Sequence, residues 1–189
     1  GDAAICTQLG EAYASGVGVK RDTARAAEMF ERACAMGAPD VCNTLGELYE
    51  TTGSIEGGLA RAEQMFERAC NGGSSAGCLN LGLAFAARED FTAAFTLYER
   101  SCSGGWAPGC HQVAVGLERG EGVGKDVGKA VGYYVLACDG EHVDGCFAAA
   151  DLYVRGEALP RDVATAVQVY GKAVKIYSAG CEAGNDREG

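Results

Sequence analysis

The sequence predicts an all-α chain: a right-handed α-solenoid superhelix of about five helix-turn-helix repeats with an inter-repeat disulfide staple. Three observations predict it. Segments opening at Cys6, Cys42, Cys78, Cys110 and Cys146 align without gaps, as CTQLGEAY, CNTLGELY, CLNLGLAF, CHQVAVGL and CFAAADLY. A second set aligns too: TARAAEMFERAC ends at Cys34, ARAEQMFERAC at Cys70, AAFTLYERSC at Cys102 and KAVGYYVLAC at Cys138. Equivalent cysteines lie 36, 36, 32 and 36 residues apart, the range of helix-turn-helix solenoid units. With 29 glycines and 3 prolines, the composition favours close-packed helices ended by glycine over a β-sandwich.

The chain reads as a single repeat domain over residues 1–189, with units at approximately 3–36, 39–72, 75–104, 107–140 and 143–181. In each unit the first helix, helix A, starts near the cysteine. Cys42, Leu45, Gly46 and Tyr49 fall on one helical face, where the small residue admits a neighbouring helix. Gly-rich loops, Ser15 to Asp22 and Arg119 to Asp126, end helix A, and Asp22, Asp126 and Asp162 stand where helix B needs an N-cap. Helix B turns Ala26, Phe30 and Ala33, or Ala62, Phe66 and Ala69, toward the core. Unit two departs in its loop, TTGSIEGG. Unit three lacks the Gly-Val loop, so Ala84 to Phe95 reads as a tight turn. Unit five has Val174 where a cysteine is expected and reaches Cys181 seven residues later, which predicts a longer final helix on the same face.

Composition narrows the function. A formal charge of −10, from 26 acidic and 16 basic residues, with no basic run longer than Lys20-Arg21, argues against nucleic acid as a partner. No apolar stretch approaches the roughly 18 residues of a membrane span. The GVGV and GEGVG loops lack the preceding strand and the Lys-Ser/Thr of a phosphate cradle and read as helix-ending turns.

These motifs resemble the Sel-one-like repeat, a relative of the tetratricopeptide repeat with the pattern A-x-x-x-L-G-x-x-Y, G-x-G-V-x-x-D and K-A-x-x-W/Y-x-K-A. The resemblance covers essentially the whole chain. Cysteines in place of two small residues make it specific to the cysteine-rich subgroup typified by the Helicobacter cysteine-rich proteins. That subgroup implies a disulfide in each repeat and a periplasmic, secreted or cell-surface location; a mitochondrial intermembrane-space relative is the alternative.

Four cysteine pairs share an interval of eight across a Gly-containing turn: Cys34 with Cys42, Cys70 with Cys78, Cys102 with Cys110, and Cys138 with Cys146. An αα-hairpin brings such positions within disulfide range. Zinc is the competing reading, disfavoured because no C-x-x-C occurs and only His111 and His142 could assist; redox-active thiols are disfavoured on the same spacing. No metal or cofactor is therefore expected. Cys6 and Cys181 are left as free thiols, or thiols that have lost their partners if the chain is excised from a longer array.

In tetratricopeptide arrays helix A lines the concave surface. Carried over, this selects Asn43, Glu47 and Glu50 in unit two, Leu79 and Leu83 in unit three, His111, Val115 and Glu118 in unit four, and Phe147 and Asp151 in unit five. An apolar middle bordered by carboxylates suits a peptide or protein with apolar anchors and basic flanks. His111, without a nucleophile nearby in sequence, reads as a polar surface contact before a general base. Trp106 either contacts a partner or packs on its own turn. The leading expectation is a non-catalytic binding scaffold or adaptor. The alternatives are a weak enzyme of the penicillin-binding or β-lactamase type described for the subgroup, or a cofactor-binding assembly factor. Against the enzyme, no S-x-x-K with K-T-G is present.

Overall fold

In the computed structural model, described for residues 2–52, 58–157 and 159–185, ten helices and no strand occur among the described residues. They fall into two compact units, Gly1–Arg88 and Glu89–Gly189. None of these helices is long and apolar enough to cross a membrane.

The first unit holds α1 (Ala3–Ser15), α2 (Thr23–Ala35), α3 (Pro39–Thr52), α4 (Gly58–Asn71) and α5 (Ser75–Ala86). Helices A and B meet at a glycine that receives an aromatic ring. A Cβ on Gly46 would lie 2.5 Å from the Phe66 ring, and one on Gly10 equally close to Phe30. Phe30, Ala33, Leu45, Phe66 and Ala69 are all buried, as the helical spacing requires. The unit-two loop, at 53–57, lies outside the described residues.

The second unit holds α6 (Phe91–Ser103), α7 (Ala107–Arg119), α8 (Val127–Asp139), α9 (Val143–Arg155) and α10 (Val163–Asn185). Here alanines, Ala114 and Ala150, stand at the position of Gly10 and Gly46, and the ring–glycine contact is instead made across a repeat junction, by Phe95 of α6 against Gly116 of α7. At 23 residues α10 is the long final helix expected, against 13 for each of the other four in this unit. In unit three the Gly-Val loop is absent: α5 ends at Ala86 and α6 begins at Phe91, with Glu89 taking the left-handed conformation at φ 63°.

Loop chemistry follows the sequence. Asp22, Asp90, Asp126 and Asp162 each accept a hydrogen bond from the backbone N–H three residues on, at 2.9–3.1 Å, satisfying an otherwise orphaned helix donor. The caps at Asp126 and Asp162 hold those carboxyls below the usual carboxylate range, through a hydrogen bond from Lys129 in the first case and from Thr165 in the second. The Asp22, Asp126 and Asp162 N–H groups donate back to the Tyr13, Leu117 and Tyr153 carbonyls, closing the Gly-rich loops identically.

Between repeats the chain is stapled. Cys34–Cys42, Cys70–Cys78, Cys102–Cys110 and Cys138–Cys146 are bonded, with Cα atoms 4.4–4.8 Å apart. Each turn needs one left-handed residue. Gly37, Gly73 and Gly105 supply it in three turns, and Glu141, at φ 66°, in the fourth. A ring of this size contributes about 2–3 kcal/mol on the loop-entropy account.

Candidate functional site

The residues selected on helices A divide between the two units, and each unit groups them differently. In the first unit, α3 and α5 lie side by side through an amide network. The Asn43 amide donates to Glu47 at 2.9 Å, and the Asn80 amide donates to the Asn43 carbonyl at 2.8 Å and to Glu47 at 3.2 Å. Asn43, expected to line the face, is in fact buried. A side chain one helical turn before Glu47 and facing the next helix A is enclosed, so Asn43 orients Glu47 and does not itself offer a contact. Glu47 and Glu50 are exposed, Leu79 is half-buried, and Leu83 is 43% exposed. Behind this face, the Tyr49 hydroxyl donates to Glu31 at 2.5 Å. Burial, and then that carboxylate, push Tyr49 up to about 12.

In the second unit the face is aromatic and charged. His111, half-buried on α7, packs edge-on to His142 with ring centroids 4.9 Å apart, and against Tyr134 of α8 at 5.3 Å. Burial chiefly, and the neighbouring His142, lower the His111 pKa against the opposing pull of Asp144 and Glu118. Glu118 accepts the Tyr134 hydroxyl at 2.7 Å, and burial above all raises that phenol. Arg155 pairs with Asp151 at 3.2 Å and with Glu118 at 3.7 Å. Phe147, 40% exposed, touches the rings of Tyr170 and Tyr177 on α10. Val115 is half-buried.

Sequence reasoning missed Asn80, Tyr134, Arg155, Tyr170 and Tyr177. One signal was available, the four-residue interval between Asp151 and Arg155, which places opposite charges on adjacent helical turns. It also missed that His111 and His142, 31 residues apart, meet across the 138–146 turn. Trp106 sits at the N-cap of α7, 43% exposed and without a side-chain capping bond. Cys6 is half-buried and free, while the Cys181 side chain lies outside the described residues. Among the described residues, no group of three or more His, Cys, Asp or Glu side chains is arranged to hold a metal ion.

The Sel1 repeat pattern matches residues 4–37, 41–74, 75–106, 107–142 and 143–185. Among solved structures, the chain is similar to a Sel1 repeat protein from Oxalobacter formigenes, with 22% identity over 92% of this chain and 73% of that one, at a TM-score of 0.83. A protective antigen of uropathogenic Escherichia coli strains, displaying the SLR fold, gives the same identity and TM-score; this chain spans 38% of its length. Cysteine-rich protein B of Helicobacter pylori is 25% identical over 66% of this chain and 92% of that one, with a TM-score of 0.52. No curated protein sequence matches.

Proposed function

Because the chain belongs to the Sel1 repeat family, whose repeats generally mediate protein interactions, we propose that it is a non-catalytic scaffold binding a peptide or protein segment on the helix-A face of each compact unit. The observation that carries this reading is the pairing of exposed apolar side chains, Leu83 and Phe147, with carboxylates on the same sets of helices. Burying such side chains supplies affinity, and the carboxylates steer a ligand with basic flanks. Glu47, Glu118 and Asp151 are already oriented by Asn43, Asn80, Tyr134 and Arg155, so little side-chain ordering is left for binding. The four disulfides suit an oxidising compartment, and we assign the chain to the periplasm, the cell surface or the secreted fraction.

The test is peptide selection on the immobilised, oxidised protein, followed by titration of a selected peptide into wild type and the Leu83→Glu, Phe147→Glu double variant. Selection of peptides with apolar anchors and basic flanks is expected. Losing one buried contact of about 1.5–3 kcal/mol in either unit weakens binding at least tenfold, while the helical spectrum and melting temperature stay unchanged. Undiminished affinity in the double variant overturns the reading.

A further inference from the structure

Repeats one, four and five join helix A to helix B through Gly-rich loops that end on the same Asp cap, so each loop position can be compared in three copies. Two residues before the cap stand Lys20, Gly124 and Pro160; three after it, Arg25, Lys129 and Thr165; five before it, Val17, Glu121 and Glu157. Arg21 belongs to the shared frame: a Cβ on Gly16 would lie 3.2 Å from that of Arg21, as one on Gly120 would lie 3.3 Å from Lys125 and one on Gly156 3.0 Å from Arg161. The first loop therefore gains a cation at Lys20 and lacks the carboxylate that the other two carry.

Beside this loop opens a cleft of about 620 Å³, whose lining includes Tyr13, Lys20, Arg21, Asp22, Thr23 and Arg25, a size that suits a small ligand. Three cations there face one carboxylate, in a chain of formal charge −10. That carboxylate is engaged, since Asp22 accepts the Arg25 backbone N–H at 3.1 Å, and Glu28, farther along α2, pairs with Arg32 at 2.6 Å. The Arg25 guanidinium lies over the Tyr13 ring, 5.6 Å from its centroid, and donates to the Tyr13 hydroxyl at 3.3 Å. That bond uses the phenol oxygen as acceptor and leaves its proton to donate to a ligand. Lys20 and Arg21 are exposed, and among the described residues neither forms an ion pair.

We propose that this cleft binds a small, soluble phosphate monoester, held by Lys20, Arg21 and Arg25 with the Tyr13 and Thr23 hydroxyls as further donors. Three cations match a group that carries close to two negative charges at neutral pH, and guanidinium forks suit its several acceptor oxygens better than the single plane of a carboxylate. The donors are side chains, so the site needs no phosphate-cradling backbone. A free small molecule is favoured over an anionic bilayer, because the acidic remainder of the chain repels an extended surface of like charge. The site is independent of ligand binding on the helix-A face.

Titration of the full, oxidised chain with glycerol 3-phosphate at constant ionic strength, followed by backbone amide NMR shifts, tests the site. Saturable shifts are expected at residues 19–25 and not at the equivalent residues 123–129. Lys20→Gly and Arg25→Thr borrow the residues of the sister loops at Gly124 and Thr165, where the fold already accepts them; Thr165 itself bonds to the Asp162 cap. Each variant should weaken binding about tenfold, the worth of one charge-assisted contact, with the helical spectrum unchanged. Shifts that do not saturate, equal shifts at 123–129, or undiminished affinity in either variant overturn the proposal. Acetate binding as tightly as glycerol 3-phosphate refutes the phosphate class. Co-sedimentation with phosphatidylcholine vesicles carrying phosphatidic acid, lost in Lys20→Gly, refutes the soluble ligand in favour of a lipid headgroup.

Discussion

The two units are built alike underneath and differ on the surface. In both, sulfur pairs eight residues apart close the turns and a helix-B ring packs on a helix-A glycine, within a repeat in the first unit and across a repeat junction in the second. Above that shared frame, the first unit carries an amide and carboxylate network around Glu47, while the second carries two histidines, Tyr134, an Arg155 ion pair and three clustered rings. The difference teaches that positions repeated at each interval make the scaffold, whereas the positions that vary between repeats make the face. Both histidines of the chain belong to the second unit, so its response to pH should be its own.

The largest effects come from the frame. Replacing Cys34 and Cys42 together by Ala, or Cys138 and Cys146 together, should cost about 2–3 kcal/mol in either case. Hydrogen exchange should then rise only in the unit that lost its bond; protection falling equally in both would erase the distinction between them. Gly46→Ala comes next. Its Cβ enters the Phe66 ring, and the overpacking should destabilise by about 1–3 kcal/mol in denaturant titration. By contrast Gly132→Ala, on a part of α8 with open space around the added atom, should be neutral or stabilising by up to about 1 kcal/mol.

Acidification should single out the second unit. His111 titrates below its ordinary value, so between its lowered pKa and that ordinary value the unfolded chain holds more protons. The His111 contribution is fully present above the ordinary histidine range and is lost as pH falls through the lowered one. Burial chiefly, and then His142, set the shift against the opposing Asp144 and Glu118, with the Tyr134 ring packed on the imidazole. Exchange in α7–α9 should therefore quicken on acidification, and His111→Asn should flatten that response; an equal acid response in α1–α5 would contradict the assignment. A stabilising effect is expected at Ser101, which stands where Ala33, Ala69 and Ala137 stand elsewhere, and whose buried hydroxyl has no hydrogen-bond partner. Ser101→Ala should stabilise by about 1 kcal/mol, read as a higher denaturation midpoint.

What was legible in the sequence was whatever recurs. Cysteine spacing and Asp caps repeat, and their local geometry depends on residues close by in the chain. The long final helix was legible from Val174 and Cys181, because seven residues preserve a helix face. The face was less legible, since its contacts join residues whose spacing occurs once: Asn43 with Asn80, His111 with His142, and Phe147 with Tyr170 and Tyr177. Asn43 shows the limit of positional transfer, because equivalence selects a position along the helix while the neighbouring Asn80 and Glu47 decide that the side chain is enclosed.

All of this depends on hairpins held by sulfur in one register. Peptide mapping of the native protein, alkylated first and digested without reductant, tests that most directly. Each of Cys34, Cys70, Cys102 and Cys138 should be recovered linked to the cysteine eight residues on. Recovery of any of these eight as an alkylated thiol, or joined to a different cysteine, would contradict the account.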